Sequence, residues 1–291
     1  MSSHASLADR LFVGLLAALP QHGLSHALGW LTRCRNPWLV RTLIGAFVRG
    51  YDIDLAAAAN PDPNSYRDFN AFFTRALRPG ARPLDPSPGT VLSPVDAVLS
   101  QFGDIAGDTL VQAKGLYYQL DDLLAGAGDL AGLFRDGSFA TLYLSPRDYH
   151  RIHLPLAARL RLMRYLPGRL FAVNLRTTRA KPRLFGLNER VICVFDSEVM
   201  PFALIMVGAI GVGGIETVWS GPVTPAAVRQ PRDFLAIEYQ SPAYPTGAEI
   251  GRFNMGSTVI LLFPKDAIAW RDDLVEGSAV RMGERLAACR S

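Results

Sequence analysis

The run Val259-Ile260-Leu261-Leu262-Phe263, entered through Asn254-Met255-Gly256-Ser257-Thr258, constrains this chain more than any other stretch. Unbroken apolar, β-branched sequence after turn residues predicts a strand. At its head, glycine leaves the backbone accessible and free to strain, and it sits beside a hydroxyl side chain. Gly256-Ser257 therefore has two readings, the turn before a strand or a peptide bond open to attack by a neighbouring hydroxyl. The pair alone does not choose between them.

The surrounding sequence is β-rich. Segments 90–101, 139–144, 191–195, 202–207, 215–219, 234–239 and 259–263 are short, β-branched or aromatic, and punctuated by Gly and Pro. A helical insertion is predicted over 118–134, where Leu120, Leu123, Leu124, Leu130 and Leu133 recur at helical spacing. Gly211-Val212-Gly213-Gly214 has no helix pattern after it, so it reads as a turn between strands rather than a dinucleotide loop. Upstream, Asn60-Pro61-Asp62-Pro63-Asn64-Ser65 is a breaker cluster, followed by a short predicted helix over 66–77. The expectation is an α+β chain. Residues 1–65 form an amphipathic helical segment, and residues 66–291 form a body of antiparallel sheets.

The N-terminal segment has its own chemistry. Leu24, Leu28 and Leu31, then Leu39, Leu43 and Phe47, each fall on one helical face, with Trp30 and Trp38 nearby. From Leu11 to Tyr51 there are four arginines, Arg33, Arg35, Arg41 and Arg49, and no acid. The net charge of +4 resides there. Apolar faces, interfacial tryptophan and unopposed arginine fit either helices lying on an anionic membrane or a hairpin packed on its own domain. The uncharged stretch Leu11 to Leu19 is shorter than the roughly 20 residues that cross a bilayer. It is also a poor signal peptide, with Asp9 beside Arg10 and no small-residue cleavage site. No basic run interleaved with aromatics points to nucleic acid. Cys34, Cys193 and Cys289 lack metal or disulfide spacing, so neither zinc nor a disulfide framework is expected, and a reducing compartment is.

Candidate chemistry in the body centres on histidine. His150 and His153, in Tyr149-His150-Arg151-Ile152-His153-Leu154-Pro155, are its only histidines, so a base acting on a serine near neutral pH must be one of them. A serine mechanism also needs an acid to orient the imidazole. Asp96, in Ser93-Pro94-Val95-Asp96, and Asp148, just before the histidines, are the candidates; each also fits a loop aspartate capping backbone amides.

Taken together these stretches resemble phosphatidylserine decarboxylases of the bacterial membrane-bound proenzyme type. The resemblance rests on Met255-Gly256-Ser257-Thr258, where the family usually has Leu-Gly-Ser-Thr, on the His150 and Asp96 stretches above, and on Phe72-Phe73-Thr74-Arg75. Lys114-Gly115 with Tyr117, Gly168 with Leu170-Phe171-Ala172-Val173-Asn174, Asn188-Glu189-Arg190, Val207-Gly208-Ala209 and Glu249-Ile250-Gly251-Arg252-Phe253 follow in family order. It spans residues 69–264, while the N-terminal helices match in character only. Thr246 stands where a lysine is common.

This resemblance implies that the chain cuts itself between Gly256 and Ser257 into chains 1–256 and 257–291, which stay together as a heterodimer. Ser257 would attack, His153 would act as base, and Asp96 would orient it. Position 257 would end as a covalent pyruvoyl group, the cofactor, forming a Schiff base with phosphatidylserine and releasing phosphatidylethanolamine. His150 would be the proton donor or carboxylate contact, with Asp148 in support. The implied partners are an anionic phospholipid and the cytoplasmic side of the inner membrane; homo-oligomerisation is left open. Two competing readings remain, an uncleaved serine hydrolase using the same residues and a non-catalytic membrane-associated binding protein.

Overall fold

The strand Ser257–Phe263 lies between Ser138–Leu144 and Pro201–Val207 and runs antiparallel to both. Every residue of it is buried. The computed structural model describes residues 6–126, 128–211, 214–226, 229–235, 242–254 and 257–290. Met255 and Gly256, which precede this strand, lie outside the described residues, as do Val212 and Gly213 of the glycine-rich turn.

Nine strands form the main sheet among the described residues. Its order is Arg232–Leu235, Ala158–Leu166, Arg190–Ser197, Pro201–Val207, Ser257–Phe263, Ser138–Leu144, Ala97–Asp104 and Ala279–Val280, with Ala243–Tyr244 also pairing on Ala158–Leu166. All of these pairings are antiparallel. A four-stranded sheet joins Gly221–Pro222, Ile215–Thr217, Glu249–Phe253 and Arg151–His153, and a three-stranded sheet joins Thr90–Leu92, Arg285–Cys289 and Ile268–Trp270.

Side chains alternate across a strand, so the central one feeds two cores. Val259, Leu261 and Phe263 pack with Ile152, Ile250 and Phe253 of the four-stranded sheet. Ile260 and Leu262 face the other way, toward Leu120, Phe134 and Phe185 of short helices. A continuous apolar run is what a strand covered on both faces requires. Burying these five side chains is worth on the order of 10 kcal/mol before chain entropy is subtracted.

Helices α1 (Leu7–Ala18), α2 (Gln21–Thr32) and α3 (Pro37–Tyr51) precede the body. A capping box of Ser6 and Asp9 starts α1, and Asn36, whose side chain accepts from the Trp38 and Leu39 amides, starts α3 with Pro37 in its first turn. In α2 the polar residues face inward. Gln21, Ser25, Gly29 and Thr32 are buried, while Leu24 and Trp30 are exposed. The buried face is satisfied: the Leu170 amide donates to Gln21 Oε1 (2.9 Å), and the Gly211 amide donates to Ser25 Oγ (3.2 Å). Helix α3 packs Val40 and Ile44 against Phe69, Phe72 and Phe73 of α4 (Phe69–Phe73).

The α+β expectation holds, with local differences. The predicted helix over 66–77 shrinks to α4, because Asp68 caps the Ala71 amide (2.7 Å) and the helix has already ended at Thr74. Segment 90–101 is two strands, since Ser93-Pro94-Val95-Asp96 breaks the pairing. The insertion begins with a strand, Leu116–Gln119, and its helices Leu120–Leu124 and Gly128–Phe134 are separated at Ala125, which takes a left-handed conformation. Of segment 234–239, only Phe234 and Leu235 are described.

The junction behind the central strand is tight. A Cβ at Gly137 would fall 2.0 Å from the Phe263 carbonyl oxygen. Gly137→Ala is expected to lower stability by about 1–3 kcal/mol in urea denaturation, with an unchanged denaturant slope.

Candidate active site

Ser257 opens the central strand, opposite Leu144. It is fully buried, and its Oγ has no hydrogen-bond partner among the described residues. The same holds for Thr258 Oγ1. The two hydroxyls lie on opposite faces of the strand, and a buried hydroxyl without a partner, such as that of Ser257, is costly in a folded chain and marks a place where another group completes the bonding.

The second half of the site is the connection from Leu144 to Arg151. It runs beside the segment leading to Ser257, because the Phe253 amide donates to the His150 carbonyl (3.0 Å). His150 is fully buried and stacks on Phe73 at 4.1 Å between ring centroids; its ring nitrogens make no well-formed hydrogen bond among the described residues, although the Pro146 and Ser145 backbone lies near enough to favour its protonated form. Burial first, and the Arg75 charge second, push its pKa down to about 3, so it is a neutral imidazole at neutral pH.

His153 is held at both nitrogens. Nδ1 lies 2.8 Å from the Gly247 carbonyl, and Nε2 lies 2.9 Å from the Tyr149 hydroxyl. A carbonyl only accepts, so Nδ1 carries the proton and Nε2 accepts from the tyrosine. Burial lowers the His153 pKa from its ordinary value, favouring the neutral form that a base needs. Gly247 presents its carbonyl from a turn at φ 77°, where other side chains are strained.

The two aspartates are engaged elsewhere. Arg82 Nε donates to Asp96 Oδ1 (2.9 Å), its Nη2 reaches Oδ2, and the Met282 amide donates to Oδ1 (2.9 Å). The expected hydrogen bond from His153 to Asp96 is therefore absent, because Gly247 occupies Nδ1. Asp96 still acts on His153 through its charge, which favours the protonated imidazole. The His153 amide donates to Pro94, two residues before Asp96 (2.9 Å). Asp148 accepts the Ser145 amide at Oδ2 (2.7 Å), and burial raises its pKa to about 6.

A family profile described as phosphatidylserine decarboxylase matches residues 69–288, and a second, described as PSD, matches residues 11–52. The chain belongs to the phosphatidylserine decarboxylase family. It is 48% identical to a phosphatidylserine decarboxylase proenzyme of Azotobacter vinelandii, over 96% of this chain and 98% of that one. A Methylococcus capsulatus protein of the same name is 48% identical over 98% and 99%, and one of Pseudomonas aeruginosa is 49% identical over 97% and 98%.

Of the residues singled out from the sequence, the structure brings His150 next to the backbone that leads into Ser257, and His153 next to the loop of Asp96. It forms no hydrogen bond from Ser257 Oγ to either histidine among the described residues. Gly256 lies outside the described residues. Sequence reasoning assigned no role to Tyr149, Gly247, Arg82, Phe73 or Arg75. Tyr149, Phe73 and Arg75 stood within quoted motifs, but their contacts cross from one element to another and have no periodicity to reveal them.

The buried neutral His150 makes stability depend on pH. Its folded pKa of about 3 lies below the ordinary 6.5, so the unfolded chain binds the proton first as pH falls. The stability associated with neutral His150 is thus present above pH 6.5 and lost below it. Between pH 7 and pH 5 the wild type is expected to lose about 2 kcal/mol more than His150→Phe in urea denaturation.

Proposed function

We propose that this chain decarboxylates phosphatidylserine to phosphatidylethanolamine, after cutting itself between Gly256 and Ser257. The observation that carries the reading is the buried, unpartnered Ser257 hydroxyl at the head of the central strand, at the Gly-Ser of a chain belonging to this family. In the cut, the hydroxyl oxygen bonds to the Gly256 carbonyl carbon and the amide C–N bond breaks, giving an ester. His153 takes the hydroxyl proton and returns it to the departing amine. Tyr149 must first release Nε2, while Gly247 keeps the tautomer fixed. Elimination then releases Gly256 as a carboxylate and leaves a dehydroalanine at position 257, whose imine form water hydrolyses, with loss of ammonia, to a pyruvoyl end.

The residues present fit such a group. Ser257 Oγ is a buried polar atom without a partner, and the His150 ring lies on the connection that runs beside it, a setting suited to carbonyl oxygens built from residue 257. A pyruvoyl group supplies a ketone that condenses with the substrate amine and a conjugated carbonyl that accepts the electron pair left as carbon dioxide departs. This chain's residues do the rest. His150, neutral before substrate binds and clamped on Phe73, would take up a proton from solvent beside the anionic substrate and pass it to the substrate carbon, and Asp148 supports it by fixing the Ser145 amide. The surrounding core keeps water from that step.

The helices support a peripheral position on the cytoplasmic face of the cell membrane, with residues 1–65 as the membrane-associating segment and 66–291 as the catalytic domain. Leu7, Leu11 and Leu15 of α1 form one exposed stripe, with Leu24, Trp30 and Trp38 also exposed. Helix α2 turns its polar face to the protein and its apolar side outward, the reverse of a helix facing water. No single helix is long and apolar enough to cross a membrane, and α1 and α2, which meet the requirement together, are bent by 79°.

Intact mass spectrometry and a denaturing gel test the maturation. Purified wild type is expected to show two chains, the smaller with a blocked N-terminus, and to release carbon dioxide from phosphatidylserine vesicles. Ser257→Ala should remain one uncut, inactive chain, and His153→Ala should slow the cut at least 100-fold. Active protein of full-length mass would refute the mechanism. Separately, replacing Leu7, Leu11 and Leu15 with Ser should reduce sedimentation with anionic vesicles at least tenfold while self-cleavage continues.

A further inference from the structure

Beside the Ser257 and His150 site lies a cleft of about 430 Å³ lined by Arg75, Arg82, Asp96, Asp148 and Tyr149. Arg75 is its most deeply buried cation, only 6% exposed. Its Nη2 donates to the Arg147 carbonyl (3.1 Å), and its guanidinium lies over the Phe72 ring at 5.4 Å. Its Nη1, also buried, has no hydrogen-bond partner, and no carboxylate pairs with Arg75 among the described residues. Asp96 and Asp148 favour the Arg75 charge from a distance, but neither bonds the guanidinium, since Asp96 is hydrogen-bonded to Arg82 and Asp148 to the Ser145 amide. A buried guanidinium with an open N–H and no carboxylate bonded to it is costly, and such a group is retained where an anionic ligand completes its bonding.

We infer that Arg75 binds the phosphodiester of the lipid substrate and so places the serine headgroup against His150; this rests on the proposed substrate. Arg75 follows Phe73, the ring on which His150 stacks, by two residues, and its charge is felt at His150. In phosphatidylserine only the β-carbon and an ester oxygen separate the reacting α-carbon from phosphorus, so an anchor this close to His150 is in the right neighbourhood. The substrate carboxylate is the poorer occupant. It loses its charge as carbon dioxide leaves, so an arginine on it would stabilise the ground state more than the transition state. The phosphodiester keeps its charge throughout, and the planar fork of arginine matches its oxygens.

The test uses the uncut Ser257→Ala chain, so that binding is read independently of maturation, and titration calorimetry with glycerophosphoserine, serine and inorganic phosphate. Glycerophosphoserine is expected to bind at least about tenfold more tightly than serine, and adding Arg75→Gln should abolish that difference. Arg75→Lys should restore part of it, since lysine keeps the charge but loses the fork. Near-ultraviolet circular dichroism matching that of Ser257→Ala shows that each variant is folded. In cut enzyme, Arg75→Lys should raise KM for phosphatidylserine by a larger factor than it lowers kcat. Three results would overturn the inference: unchanged glycerophosphoserine binding in folded Arg75→Gln, serine binding as tightly as glycerophosphoserine, or a kcat loss with unchanged KM. Arg75-dependent binding of inorganic phosphate as tight as that of glycerophosphoserine would assign the cleft to free phosphate and overturn the lipid assignment. Wild type that binds glycerophosphoserine through Arg75 but decarboxylates nothing would instead overturn the proposed function.

Discussion

The pairing of Ser257–Phe263 with a strand on either side is the interaction on which the rest depends. It holds the residue that begins the strand at a fixed depth, between two cores, with backbone hydrogen bonds on both edges. A cut before Ser257 leaves this grip intact. The segment after the cut also supplies Ile268–Trp270, Ala279–Val280 and Arg285–Cys289. The last two pair with Ala97–Asp104 and Thr90–Leu92, and the Met282 amide donates to Asp96. Separating the pieces of a cut chain would expose a fully buried strand, so two chains made by the proposed cut would behave as one folded body.

Around that strand the fold concentrates polar atoms with unmet bonding capacity. Most buried polar groups here are satisfied: Asn188 alone bonds the backbone of Phe171 and Gly208. Ser257, His150 and Arg75 are exceptions on neighbouring elements, tied through Phe73 and the Ser145–His150 connection. Desolvation there acts in both directions on charge. It keeps His150 neutral and lifts Asp148 to about 6. A site whose substrate brings an amine, a carboxylate and a phosphodiester gains from groups that wait uncharged or uncompensated until it arrives.

Much of this was legible in the sequence where local pattern decides structure. The run Val259–Phe263, the β-rich body and the helical N-terminal segment follow from composition and spacing, and the α+β architecture is as expected. The strand Ala158–Leu166 is absent from that expectation although its alternation was available. Arg161 and Arg164 point to Asp196 and Asp233 across the sheet, while Leu160 and Met163 enter the core. Within the site, residue types were readable but partners were not. The acceptor for His153 is a backbone carbonyl from Gly247, ninety-four positions away, and backbone groups leave no mark in sequence. Asp96 looked like the orienting acid because its side chain suits that task; Arg82, fourteen positions earlier, takes both of its oxygens instead.

The division of labour around His153 explains how one imidazole can be both fixed and available. The bond to Gly247 is embedded in a turn whose backbone is itself anchored, since the Gly247 amide donates to Leu154 (2.8 Å) and the Leu154 amide to Ala248 (2.9 Å). Rotating the ring would break that bond and leave a part-buried carbonyl without its partner. The bond to Tyr149 is of another kind, made by a side-chain hydroxyl that can turn without disturbing the sheet. Its loss costs about 1 kcal/mol net, a factor of roughly five in population, which is small beside the barrier to attack on a peptide bond. The tautomer is therefore set by the part of the structure that cannot move, and the basic nitrogen is covered by a part that can. Glu249 and, more weakly, Asp96, itself bonded to Arg82, favour the protonated imidazole through their charge without competing for either nitrogen.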